Sequence, residues 1–126
     1  MRIKKEENAY YLYLFYDVNC KTKDDAIKKF VSYTKNSSIT VHSIRIDDGK
    51  SYHDGTCTQE YMKITDEDAF IRKCCESPLE SISFSGEYNR RPFALRISLE
   101  TLQIRLSCVK DSLVDYDSLE CKLDLN

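Results

Sequence analysis

The fold of this chain is decided by the stretch Leu79–Val109, which reads LESISFSGEYNRRPFALRISLETLQIRLSCV. Apolar and polar side chains alternate along it, from Ile82 and Phe84 through a turn at Asn89–Pro92 to the end of the stretch. A period of two over this length is typical of consecutive β-strands that bury one face and expose the other. The stretch therefore predicts three strands of an antiparallel sheet.

Strands and helices share the rest of the chain. Tyr10–Val18 is rich in aromatic residues that favour strands, and Ser38–Ile46 and Thr56–Ile64 are predicted as two further strands. Capping patterns at Thr22 and at Thr65, each followed by apolar residues at helical spacing, predict two helices. The tail after residue 111 is interpreted as a third helix.

The predicted order is β-α-β-β-α-β-β-β, with the third helix at the end. We expect an α+β fold, in which a mainly antiparallel sheet of about five to six strands packs two or three helices on one face. The 126 residues suit one domain, and no repeat or linker divides residues 1–126. The sequence leaves open whether residues 1–8 form a flexible N-terminus.

The charge balance disfavours nucleic acid as a partner. The chain has 19 basic and 21 acidic residues and a net charge of -2, so it creates no long-range field that attracts a polyanion. The charged N-terminus has no signal-peptide cleavage site, and the aromatic run behind it is too short to cross a bilayer. We therefore expect a cytoplasmic protein without a membrane contact, with its six cysteines as reduced thiols.

A small enzyme or metal-binding protein is one functional alternative. Cys57 with His53 or His42, oriented by Asp54, has the residue types of a Cys–His nucleophile. A metal site would take its other ligands from His42, Cys74 and Cys75. However, no paired Cys or His clamp is present, and a core thiol with a solvated loop histidine explains the same residues. We predict no metal site and keep Cys57, His53 and Asp54 as weak catalytic candidates.

No cofactor is predicted. The glycines of the chain are Gly49, Gly55 and Gly86, which are too scattered to form a phosphate-binding loop or a dinucleotide-binding fingerprint. The function is therefore sought in binding surfaces rather than in a nucleotide site.

The first predicted strand is the strongest candidate for recognition. Tyr11, Tyr13 and Phe15 lie on one of its faces, and Leu12 and Leu14 lie on the other. A strand that is apolar on both faces is either covered twice or presents aromatic side chains to another molecule. The cover would be the C-terminal segment in the first case, and a partner or second copy in the other.

Serines and two arginines, Arg96 and Arg105, are expected on the polar face of the sheet. Tyrosine and arginine are enriched at interface hot spots, and serine adds adaptable hydrogen bonds, although serines also line the wet side of ordinary sheets. The turn at Asn89–Pro92 adds Arg90 and Arg91, which either contact an acidic partner or form a solvated hairpin tip.

Three functional hypotheses result. The preferred one is a cytosolic protein-binding module, either neutralising (immunity- or inhibitor-like) or an adaptor, by analogy of size and composition. It binds a partner protein or a second copy through Tyr11, Tyr13, Phe15, Arg90, Arg91, Arg96 and Arg105. The second is the enzyme or metal-binding protein centred on His53 and Cys57. The third is a sheet that stacks the bases of single-stranded nucleic acid, which the net charge disfavours.

Overall fold

The structure, a computed structural model, describes residues 1–52, 55–111 and 115–125. Within these ranges it describes the side chains of all residues except those at positions 51–58. The strands of this part of the chain are β1 (Arg2–Glu7), β2 (Tyr11–Asp17), β3 (Ile39–Tyr52), β4 (Gly55–Tyr61), β5 (Ser81–Tyr88), β6 (Arg91–Ser98) and β7 (Gln103–Val109). The helices are α1 (Lys23–Thr34), α2 (Glu67–Glu76) and α3 (Tyr116–Lys122).

The strands form one antiparallel sheet in the order β1-β2-β7-β6-β5-β3-β4. The three strands of the alternating stretch, β5, β6 and β7, lie in its middle and pair with their sequence neighbours. The α+β class and the antiparallel sheet are therefore confirmed. The strand count is corrected, because the sheet has seven strands rather than five to six.

The additional strand is β1, which lies at the sheet edge with all of its residues exposed. Arg2 bonds the buried carboxylate of Glu120 at 3.1 Å, and Lys110 lies 3.5 Å from the carboxylate of Glu7. The side chain of Asn8 accepts two backbone N–H groups of the following turn. A charged edge strand also resists pairing with other chains. Contacts distant in sequence thus order a segment that has no apolar periodicity.

All three helices cover the same face of the sheet. The ring of Phe30 in α1 lies 5.7 Å from that of Phe84 in β5, and Phe70 in α2 meets Tyr61 in β4 edge-on. Tyr61 and Phe84 both pair with Ile44 in β3, so they point to one side. The hydrophobic core lies between this side and the helices.

The C-terminal segment packs on this helix-bearing face as well. Leu119 and Leu123 are buried in the core, and the hydroxyl groups of Ser118 and Tyr88 are 3.1 Å apart. Tyr88 points to the same side as the other core residues of β5. Residues 115–125 therefore do not cover the aromatic side chains of β2.

Among the boundaries that differ from the expectation, β4 ends at Tyr61 rather than at Ile64. Strand β3 continues beyond Ile46 to Tyr52, because a register irregularity between Asp47 and Ser51, with Gly49 at a positive φ, keeps these residues within the hairpin. Helix α2 is capped by Asp66 rather than Thr65, since the Asp66 side chain accepts a first-turn N–H at 3.0 Å. A carboxylate at this position also favours the positive end of the helix dipole.

We expect Gly86→Ala to lower the free energy of unfolding by about 1–3 kcal/mol, as overpacking does elsewhere. A Cβ atom at Gly86 would overlap the backbone carbonyl oxygen of Thr40, where the β3–β5 register shifts. Backbone cannot rotate away as a side chain can. Urea denaturation measures the loss, and Ser85→Ala on the exposed side of the same strand is the control. Equal midpoints for the two variants would contradict this close approach.

Candidate functional site

The face of the sheet opposite the helices is the candidate site, which we call the open face. Tyr11, Tyr13 and Phe15 of β2 alternate with core residues and therefore reach it, as do Arg96 and Arg105. Within the described residues, none of the three helices lies on this face. The structure therefore brings five of the seven predicted binding residues to one surface.

Strand pairing arranges the central residues of the open face in a row. Arg96 lies opposite Arg105 on β7, and Arg105 lies opposite Phe15 on β2. The whole row, from β3 to β1, is Arg45, Ser83, Arg96, Arg105, Phe15 and Lys4. Because neighbouring strands are about 4.8 Å apart, successive members of this cationic row can contact the same ligand.

The outer cations of the row already have acidic partners. Arg45 lies 3.0 Å from the carboxylate of Glu60, and Lys4 lies 2.7 Å from that of Glu6. Lys4 also lies over the ring of Phe15, 5.4 Å from its centroid.

The two central arginines differ from the outer cations in their lack of an acidic partner among the described residues. Across the described residues, neither Arg96 nor Arg105 forms an ion pair or a side-chain hydrogen bond. Two like charges directly opposite each other on neighbouring strands are unfavourable for the sheet. The middle of the row is thus the place where the open face lacks a counter-charge.

A shallow concavity of about 230 Å³ lies around these arginines. Small side chains beside the long arginines create it, and its lining is Arg45, Asp47, Ser81, Ser83, Ala94, Arg96, Arg105 and Ser107. The Asp47 side chain is engaged with the backbone N–H of Gly49 at 2.8 Å. Arg45 is paired with Glu60, so Arg96 and Arg105 against the single carboxylate of Asp47 leave the concavity positive, with serine hydroxyls as further hydrogen-bond donors.

The aromatic residues extend the open face along β2. The side chain of Tyr11 is 47% exposed, and its ring lies 6.4 Å from that of Tyr13. Tyr13 and Phe15 are half-buried, and none of the three belongs to the hydrophobic core. Aromatic rings with two rotatable bonds lose little entropy on binding and bury a large area. This part of the open face can therefore contribute apolar contact to a partner.

The hairpin arginines lie away from the row. Arg91 points to the same side as Phe93, towards the helices, and its guanidinium donates to the carboxylate of Asp111. Arg90 is exposed at the tip of the turn, where it and Asn89 have positive φ values of 63 and 50. This geometry is typical of a two-residue hairpin turn. The predicted binding residues Arg90 and Arg91 are thus not part of the open face.

The catalytic candidates lie largely outside the described residues. This applies to His53, to Asp54 and to the side chain of Cys57 in β4. The other proposed ligands lie in different environments, because exposed His42 pairs with Glu87 at 2.8 Å, whereas Cys74 is buried on the core-facing side of α2. Burial raises the pKa of the Cys74 thiol to about 11. The described residues hold no group of three potential metal ligands.

Two of the cations in the row, Arg45 and Lys4, were absent from the predicted binding residues. Arg45 alternates with Ile44 and Ile46, so its position on the polar face could be read from the sequence. No sequence signal marks Lys4, because β1 has no apolar periodicity. Strand register, which depends on the whole chain and not on a local pattern, decides which residues lie beside them.

Comparison of the chain with protein-family models, curated proteins and solved structures finds no match. Among the described helices, none combines the length and the apolar character needed to span a membrane. The function is therefore inferred from the geometry of the open face itself.

Proposed function

We propose that this chain is a cytoplasmic protein-binding module that covers part of a partner with its open face. The observation that carries the proposal is the position of Tyr11, Tyr13 and Phe15 beside two unpaired arginines on a sheet face that no described helix covers. Tyrosine and arginine are the residues that most often dominate binding energy at interfaces. A small domain that binds in this way acts as a neutralising protein or an adaptor.

The scaffold supports binding without a large rearrangement. The open face is built on paired strands, with β2, β6 and β7 adjacent in the sheet. Their side chains project from backbone that is already hydrogen-bonded, so little backbone entropy is lost when a partner binds. A preformed surface of this kind suits occlusion of a partner's own functional site.

Single-stranded nucleic acid is the competing ligand, because aromatic and arginine side chains on a sheet can stack bases. Its successive phosphates would need a continuous series of basic residues along the bound nucleic acid. On the open face, however, the basic residues at the two ends of the row are paired with Glu60 and Glu6. Asp17 and Asp47 lie in the adjoining row. A short acidic contact fits this distribution better than a polyanion does.

We expect the double substitution Tyr11→Ser with Tyr13→Ser to leave the fold intact and to abolish the dimer or the partner complex. The two side chains lie outside the core, so their loss changes the melting temperature little, while the partner loses its apolar contact area. Sedimentation velocity measures the assembly, and thermal denaturation measures the fold.

The matched control is Met62→Ser. Met62 is 79% exposed and lies on the segment after β4, away from β2. The substitution Met62→Ser removes an exposed apolar side chain but leaves the open face unchanged, so the assembly should persist. If the double tyrosine variant keeps its assembly and melts at a much lower temperature, the tyrosines are structural and the proposal is wrong.

A further inference from the structure

The pair of arginines at the centre of the open face has an unusual arrangement. Arg96 and Arg105 are direct cross-strand neighbours on β6 and β7, and within the described chain neither has an acidic partner. Their repulsion opposes the pairing of the two strands. An anion placed between the two guanidinium groups would remove this repulsion and gain charge-assisted hydrogen bonds.

We propose that Arg96 and Arg105 together hold one carboxylate group, so that the partner inserts an Asp or Glu side chain into the concavity between them. The inference rests on the proposed function and specifies the chemistry of the partner. Guanidinium groups bind carboxylates with parallel hydrogen bonds, which gives both strength and a defined orientation. The hydroxyl groups of Ser83 and Ser107, which line the concavity, can donate further hydrogen bonds to the carboxylate.

The surrounding charges favour one carboxylate over an extended anion. Arg45 and Lys4, the outer cations of the row, are neutralised by Glu60 and Glu6. Asp47 lies at the rim of the concavity. The positive region thus has room for one compact anion, and a longer anionic chain would meet carboxylates on both sides.

The neighbouring aromatic residues favour a partner that is a polypeptide. Phe15 lies opposite Arg105, and Tyr13 lies opposite Ser107 on the same pair of strands. An acidic side chain between the arginines therefore places adjacent residues of the partner against aromatic rings. We expect the partner segment to combine an Asp or Glu with an apolar side chain close to it in sequence or in space.

The experiment uses phage-displayed random short peptides selected against the full chain. Peptides that also bind the Tyr11→Ser, Tyr13→Ser variant are removed. We expect the enriched peptides to contain an Asp or Glu, and a synthetic copy with Asn or Gln there to bind at least about tenfold more weakly. The double variant Arg96→Gln with Arg105→Gln should weaken binding of the acidic peptide to a similar extent, with no loss of fold by circular dichroism.

The matched control is Lys28→Gln with Arg72→Gln, which removes the same charge from exposed positions on α1 and α2. Peptide binding should stay at the wild-type level. Enriched peptides that need Tyr13 but ignore both arginines would overturn the carboxylate assignment and leave the binding module standing. A library that yields no ligand dependent on the open face would overturn both. An oligothymidylate is tested at physiological salt. If it binds more tightly than the acidic peptide, and the arginine variant loses this binding, the site belongs to nucleic acid and the inference is overturned.

Discussion

Phe84→Ala should lower the free energy of unfolding by about 3–5 kcal/mol, whereas Phe15→Ala should lower it by only about 1 kcal/mol. Phe84 is 1% exposed and its ring lies within 5.8 Å of the rings of Phe30 and Phe93, so alanine leaves a cavity in the core. Phe15 lies on the open face, where water can fill the space that its ring leaves. The pair compares one ring on each side of the same sheet.

Urea denaturation with both variants at neutral pH measures the difference. Equal slopes of the free energy against urea concentration would show that the two variants unfold the same amount of surface. If both substitutions cost the same free energy, the aromatic residues of β2 belong to a second core. The open face would then not be available to a partner.

The alternation of residues 79–109 was sufficient to predict three strands and their buried faces, because both are local properties. The parity of the apolar residues changes between Leu99 and Leu102, and a turn with a positive φ of 54° at Leu102 accommodates this change. The first helix was predicted from an equally local signal, the capping pattern at Thr22. In the structure the side chain of Thr22 accepts the N–H of Asp25 at 3.1 Å, as this pattern indicates. Local signals of this kind need no knowledge of the remaining chain.

Strand β1 could not be predicted in this way. It contains five charged residues and one apolar residue, Ile3, which is exposed. Its order depends on β2 and on the contact of Arg2 with Glu120, a residue near the other end of the chain. A strand that is held by tertiary contacts carries no period that a window of sequence can detect.

The candidate site was predicted in part for the same reason. Alternation alone placed Tyr13, Phe15, Arg96 and Arg105 on one face of their strands. The sheet order brings β2 next to β7, which sets Phe15 opposite Arg105. Register and strand order depend on the whole chain, so the unpaired arginine pair and its concavity became visible only in the structure.

A buried thiol on the helix-bearing side of the sheet should make the fold sensitive to alkali. Cys108 is 1% exposed on β7. Burial is the main cause, and the carboxylate of nearby Glu120 acts in the same direction; together they raise the pKa of its thiol from 9.0 to about 12. The neutral thiol is favoured in the folded chain because an ionised sulfur there would lose its hydration and face a negative charge.

The sign of the effect follows from proton binding. Below the ordinary pKa of 9.0, the thiol is protonated in the folded and unfolded chains, and its contribution to stability is fully present. Above that pH the unfolded chain releases the proton while the folded chain retains it, so stability decreases with rising pH until the folded pKa of about 12. The expected loss is about 1.4 kcal/mol per pH unit, or about 4 kcal/mol across this window.

Cys108→Ala should therefore reduce the steepness with which the free energy of unfolding falls between these two pH values, even though it lowers stability at neutral pH. Urea denaturation at several alkaline pH values measures the slope. Leu106→Ala is the control, because it opens a cavity on the same face of β7 without removing a titrating group, and its curve should run parallel to that of the unsubstituted chain. Cys74 and Tyr16, whose pKa values are also raised mainly by burial, are retained in both variants. Parallel curves for all three proteins would mean that the Cys108 thiol ionises equally in the folded and unfolded chains, which a fully buried thiol beside Glu120 should not do.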